Sequence, residues 1–466
     1  MNLILASLLV YIVAQLAIAF AVARRPKSES DYLLAGRRLG PWLATFSVFA
    51  TWFGAETCVG ATSESYANGL SGATTDPFGY ATGILIMGLL FAATLWKRGI
   101  MTFADLFRQR YGGRIETLAT LVMIPSSVLW AAAQIRAMGQ VVASASELGI
   151  FAAITAAAVV VIVYTAIGGM WADAVTDLVQ GIVLILGVLG LAVVFFYSGG
   201  AERLAALPPE RLTMMGEQSP LQWLETFLVP VLSTVAAGEL VARVLAVRSP
   251  ELARSSTIAA SFLYLVIGMV PVLLGLGLMG QMGDTDPEQV LATYAQHSLS
   301  TPLYILFLGA LVSAILSTLS GALLVAGSLA AHNLLLRHRP GLSEKAKVRA
   351  NRLGVVIFGL AAYWLALSSD SIYELVQASS GFGSSGVLVI MLFSLWAPRL
   401  GGAASAAAAL IASVSVYVLG TWQELPYPFF SSLAASLAAY LLFAPLRSGA
   451  VQGDSALAGG TARESS

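Results

Sequence analysis

Runs of about twenty apolar residues, parted by short polar breaks, recur along this chain from its first residues to about position 445. A hydrocarbon core about 30 Å thick takes about 20 residues of helix per crossing, so each run reads as a transmembrane helix. Thirteen such windows centre near residues 3–22, 41–66, 76–96, 117–142, 150–168, 178–198, 222–242, 256–280, 302–332, 352–368, 374–396, 402–420 and 427–445. The pattern predicts an all-α polytopic membrane protein, with one transmembrane domain over 1–447. The first window ends in basic residues with no small-residue cleavage site before Arg24, so it is expected to be a retained span and not a signal peptide.

Polar residues that interrupt the apolar windows carry the chemistry, because each is costly in lipid and needs a partner. The second window carries Glu56 between Gly54 and Gly60, a pair from which a regular helix gains nothing. It reads either as a discontinuous helix whose freed carbonyls line a cavity, or as a glycine packing face with Glu56 bonded to a neighbour. The ninth window contains SAILSTLS, residues 313–320, with four hydroxyls where lipid offers no partner. Ala314, Ser317 and Thr318 stand at i, i+3 and i+4, so one carbonyl and two hydroxyls share a helix face. Such oxygens suit a small alkali cation; alternatively, the hydroxyls bond back to their own helix or join helices. Arg136 lies inside the fourth window and costs about 2.5–3.5 kcal/mol there if unpaired. Glu56 or Glu239 is its expected partner, or else Arg136 meets a carboxylate on a zwitterionic solute.

Composition agrees with a membrane protein: 58% of residues are hydrophobic and 11% charged, with mean hydropathy +0.81. Soluble domains carry about 25% charged residues. Of the 25 Lys and Arg, 22 fall in alternate loops, at 24–38, 97–114, 243–254, 337–352, Arg399 and the C-terminal tail. Cytoplasmic loops keep positive charge, so the N-terminus is expected outside and the C-terminus in the cytoplasm, in a plasma membrane of bacterial inner-membrane type. One cysteine, Cys58, allows no internal disulfide, and three scattered histidines supply no ligand set for a metal. A formal charge of zero says nothing about a nucleic-acid or acidic partner, and no nucleic-acid partner is expected. The tail 448–466, rich in Gly, Ala and Ser, reads as disordered cytoplasmic sequence.

Several stretches together resemble the sodium:solute symporter family. YTAIGGMWADAVTDLVQG (164–181) is similar to that family's Gly-Gly turn and Thr-Asp-x-x-Gln sequence, AILSTLSGALLVAGS to its sodium-site helix, and ELVARVLAVRSPELARSS to its basic loop. SIYELVQASSGFGSSGVLVIMLFSLW fits its eleventh span. Within the family, ATWFGAETCVGATSESY, DPFGYATGILIMG and MIPSSVLWAAA resemble segments of the high-affinity choline transporters. The resemblance implies a leucine-transporter-type fold, in which spans 2–11 form two inverted five-helix repeats, about 40–198 and 220–396, with one helix before and two after. Pro230 and STVAAGE would then break span 7 as the glycines break span 2.

The same resemblance implies a sodium-coupled symporter for a small organic solute, an amine, a betaine or an amino-acid-like compound, with sodium as coupling ion and no cofactor. It implies sodium ligands at Ala50, Phe53, Ala314, Ser317 and Thr318, and an acidic residue at Asp177 on the ion's release path; Asp177 alternatively caps the start of span 6. Trp52, Tyr80 and Trp130 match aromatics that cage a quaternary ammonium, and Gln377 matches a polar solute contact. The span-7 aromatic of that cage is missing here. A solute sensor, an uncoupled channel, or a symporter for a sugar or organic acid could use the same scaffold. An enzyme is not expected, because the loops hold no nucleophile, base or metal constellation. The sequence does not indicate an oligomeric state.

Overall fold

The computed structural model describes residues 3–445 except 23–25, 145, 147, 284, 340 and 370–371, and describes the backbone alone at 144 and 373. The predicted tail 448–466 lies outside the described residues. Among those described, the protein is built of helices. Nine stretches are long and apolar enough to cross a membrane, and the pair Pro220–Val235 and Gly238–Leu245, bent by 41°, makes a tenth. Two of the nine, Glu56–Lys97 and Ile150–Ala205, run to 42 and 56 residues, more than one crossing takes up.

The long stretches contain breaks written in the sequence. Ile150–Phe195 is interrupted at Gly169, whose φ of 61° suits glycine. A Cβ there would lie 2.8 Å from the Tyr32 ring, while the Tyr32 hydroxyl donates to the Ala166 carbonyl at 3.2 Å beside the break. The helix resumes directly after Gly169, so the sixth window begins earlier than the 178 read from hydropathy. Helix starts use ordinary signals: Ser219 and Ser249 each accept a bond from an amide of the first turn, and Pro220 and Pro250 follow them. Hydropathy alone missed three short helices between spans, Glu29–Leu34, Phe103–Tyr111 and Val290–Ser298.

Thr301–Ser328 is the central helix, with every residue from Phe307 to Ser328 buried. Small residues let its neighbours close in, as lipid gives helices no hydrophobic drive to associate. A Cβ on Gly187 would lie 2.4 Å from the Ala310 Cβ, and one on Gly354 would lie 2.6 Å from the Gly327 carbonyl oxygen. Large apolar side chains such as Val10, Val193, Val266 and Leu360 point outward, as a lipid solvent permits.

At the end that carries the basic loops, polar groups tie the short helices to the central one. His332 approaches Glu29 at 3.0 Å and Asp105 at 3.4 Å, and Asn333 donates to Asp105 and Glu116, each at 2.9 Å. Burial pushes the Asp105 carboxyl up, but the bonds from His332 and from the Thr102 and Met101 amides outweigh it and hold the group below the usual carboxylate range.

Candidate ion and solute site

The helix Pro41–Trp52 stops at Phe53, and helical turns resume at Glu56. Carbonyls in the last turn of a helix have no partner farther along it, so Ala50 and Phe53 present carbonyls that their own helix leaves unpaired. Gly54 permits the close approach that uses them: a Cβ there would lie 2.9 Å from Thr318 Oγ1 and 3.0 Å from Gln134 Oε1. Gln134 also accepts from the Ala55 amide at 3.2 Å and so pins the unwound segment. The second break, at Ala236 and Ala237, faces the first, and the Trp52 indole N–H donates to Thr234 Oγ1 at 3.1 Å across the gap.

Four of the five expected ion ligands converge here. Ser317 Oγ donates to the Ala50 carbonyl at 2.9 Å and lies 3.0 Å from the Ala314 carbonyl. Thr318 Oγ1 lies 3.2 Å and 3.1 Å from the same two carbonyls. All four residues are buried. Phe53 closes the helix one turn further on and lays its ring against Tyr264, centroids 5.5 Å apart. The remaining hydroxyls of SAILSTLS have other work: Ser313 meets Tyr11 of the first helix, and Ser320 bonds Asp173.

Asp177 does not cap a helix. It lies well inside the segment after Gly169, fully buried, with Oδ2 accepting from Ser47 Oγ at 2.7 Å. The Arg243 guanidinium stands 3.7 Å from the same oxygen, pairs closely with Asp173, and donates to Thr51 Oγ1 at 2.9 Å. Arg243 therefore does not belong with the loop charges; only 2% of its surface is exposed. Asp173 was legible as the residue four before Asp177, on the same helix face. Arg243 gave no sign, because basic residues near span ends usually anchor loops.

Trp52, Tyr80 and Trp130 line one cavity beside these breaks. The Trp52 and Trp130 rings meet edge to face with centroids 5.0 Å apart. Tyr80 is held by its hydroxyl, which donates to Glu56 Oε1 at 3.0 Å. Phe382, Ser126, Ser127 and Glu239 share the lining, and Ser127 Oγ donates to Glu239 Oε1 at 2.5 Å. Two expectations need correction. Gln377 is exposed and lines a neighbouring cavity that touches Tyr80 but neither tryptophan. Arg136 does not line the aromatic cavity and pairs with neither Glu56 nor Glu239; its guanidinium donates to the Ala366 carbonyl at 3.2 Å.

Acidic groups crowd the mouth formed by the loops opposite the basic ones. Glu56, Glu64, Asp76, Glu210 and Glu217 line one cavity with a single cation, Arg211, among its described lining residues. Asp286 and Glu288 line the next, together with Glu56 and Glu64. Burial and the neighbouring Asp286 hold the Glu288 carboxyl above its usual range. Asp76 is fixed by the Thr57 hydroxyl at 2.8 Å and the Tyr264 hydroxyl at 2.9 Å.

A profile of the sodium:solute symporter family matches residues 32–412. The high-affinity choline transporter 1 of Torpedo marmorata is 29% identical over 371 residues, which are 75% of this chain and 63% of that protein. The chain thus spans under two thirds of the choline transporter's length. The osmoregulated proline transporter OpuE of Bacillus subtilis (strain 168) is 27% identical over 444 residues, 89% of this chain and 88% of that one. Among solved structures, a substrate-bound, outward-open Na+-coupled sialic acid symporter superposes with TM-score 0.86 at 18% identity, covering 97% of this chain and 99% of the other. MhsT in complex with L-phenylalanine gives 0.60 at 14% identity over 87% of this chain and 99% of its own. At such identities the structures share the fold, of leucine-transporter type.

Proposed function

The chain belongs to the sodium:solute symporter family, and from that premise we propose that it is a sodium-coupled symporter importing a small organic solute by alternating access. Its named relatives are transporters and not enzymes. The observation that carries the reading is the meeting of the Ser317 and Thr318 hydroxyls with the Ala50 carbonyl at a helix break. Unwound carbonyls near mid-membrane are where such transporters hold their coupling ion. Sodium is coordinated by the carbonyls of Ala50, Phe53 and Ala314 and the hydroxyls of Ser317 and Thr318, and leaves past Asp177. The solute binds among Trp52, Tyr80 and Trp130.

Thirteen crossings account for the two overlong stretches, each as more than one span, and for the bent pair and the shorter apolar helix Pro428–Leu442. They place the N-terminus outside and the C-terminus in the cytoplasm, with inverted repeats over about 40–198 and 220–396. The facing breaks in spans 2 and 7 occupy equivalent positions of those repeats.

Coupling follows from one shared element. Ala50 and Phe53 flank Trp52, so ion and solute engage the same broken helix, and sodium orders the segment that the solute needs. Linkage makes the effect reciprocal, with about 1–3 kcal/mol usual for coupled sites. In proteoliposomes, an inward sodium gradient should drive solute accumulation and an equal potassium gradient should not. Equal uptake under both gradients would overturn the proposal.

A further inference from the structure

Glu239 is the charged residue among those described that line the aromatic cavity. It sits in the first turn after the span-7 break and is 5% exposed. A buried carboxylate costs several kcal/mol unless counter-charge and hydrogen bonds compensate it. Here the Ser127 hydroxyl supplies a bond, and no ion pair to Glu239 occurs among the described residues. The nearest cation along its own helix, Arg243, is committed to Asp173, Thr51 and the Met170 sulfur. Arg136 lies off the cavity altogether.

The rest of the cavity adds to this. Four aromatic side chains, Trp52, Tyr80, Trp130 and Phe382, can hold a desolvated cation, but the span-7 wall offers Ala236, Ala237, Gly238 and then Glu239. A full aromatic cage suits an ammonium with no hydrogen to give. A wall of carboxylate and hydroxyl suits one that donates, since acceptors left unmatched in a dry site reject an analogue lacking the N–H. The approach is also acidic, with five carboxylates and one arginine lining the largest mouth cavity. Clefts of one sign raise the local concentration of the opposite charge.

Building on the symporter reading above, we propose that Glu239 is the specificity-determining counter-ion of the solute. The solute is an organic cation carrying at least one N–H, a primary to tertiary ammonium, and not a quaternary ammonium, a zwitterion or a sugar.

The test is a methylation series on the purified full chain in sodium buffer. Calorimetric binding is measured for ethanolamine and its N-methyl, N,N-dimethyl and N,N,N-trimethyl forms, for 2-phenylethylamine and its trimethyl form, and for proline, glycine betaine and glucose. At least one N–H amine should bind tenfold or more tightly than its trimethyl counterpart. Glu239→Gln should cost that amine tenfold or more and narrow the ratio, Glu239→Asp should restore part of it, and both variants should keep the wild-type thermal response to sodium. Preference for a trimethyl compound, a zwitterion or the sugar overturns the inference while the symporter reading stands, and so does a panel in which no amine binds. An amine that binds through Glu239 equally well in sodium and potassium supports the inference and strikes the coupling instead. The wild-type series decides even if a variant fails to fold.

Discussion

On the helix Thr301–Ser328, Ser317 and Thr318 face main-chain carbonyls at a helix break, whereas one turn on Ser320 bonds Asp173 and Gly321 leaves room for the Arg243 guanidinium. A Cβ on Gly321 would lie 2.9 Å from that guanidinium. The first group offers dipoles without formal charge, and the second holds two carboxylates against a tethered cation. Uncharged oxygens suit a cation that must come and go. Paired charges suit one that stays, since separating them inside the bundle leaves an uncompensated ion. The choice between carbonyl and carboxylate thus separates the two groups on adjoining turns.

The contrast breaks most severely at Arg243. Arg243→Ala should destabilise the protein by about 3–5 kcal/mol, the usual cost of removing one partner from a buried pair. A thermal melt in detergent should show a large drop, and adding Asp173→Asn should recover part of it. The uncharged turn should behave oppositely. Ser317→Ala with Thr318→Val should raise the sodium concentration for half-maximal uptake by at least about tenfold, near 1.4 kcal/mol, while the melt moves far less than for Arg243→Ala. Unchanged sodium dependence would remove these hydroxyls from the ion site.

Asp177 is the looser carboxylate of the charged group, 3.7 Å from Arg243, and should show an intermediate phenotype. Asp177→Asn leaves Arg243 paired with Asp173 and preserves a bond to Ser47, so stability should hold while sodium release slows a few-fold in single-turnover efflux. A stability loss as large as that of Arg243→Ala would instead make Asp177 part of the permanent pair. The smallest effect is expected outside the membrane core. The Asp105 carboxyl is held below its ordinary value, so its contribution is present above about pH 4, the unfolded value, and is lost as pH falls through the folded one. Between pH 5 and 3 the melting temperature of the wild type should therefore fall more steeply than that of Asp105→Asn.

How legible these groups were in the sequence follows from their geometry. Hydroxyls at i+3 and i+4 within an apolar run mark a face by spacing alone, so Ser317 and Thr318 could be read directly. The helices themselves were readable because lipid requires apolar length, and Gly169 because only glycine suits its φ. Arg243 could not be read, since burial at a span end depends on partners from two other helices. Gln377 carries the right chemistry on a helix whose rotation points it into a neighbouring cavity. Glu239 was visible as an acid in a span, but its place beside the tryptophans depends on where span 7 breaks, which Pro230 and the small residues only bracket.

The bridge between Leu39 and Val247 bears on how the molecule moves. The Leu39 amide donates to the Ala246 carbonyl at 3.2 Å, and the Arg248 amide donates back to the Leu39 carbonyl at 3.3 Å. Trp96 adds a bond from its indole to the Val247 carbonyl at 2.8 Å. The two main-chain bonds staple the entrance of one broken helix to the exit of the other, and a substitution other than proline leaves their donors and acceptors in place. A tilt of either half-helix at this end would break these bonds unless its counterpart followed.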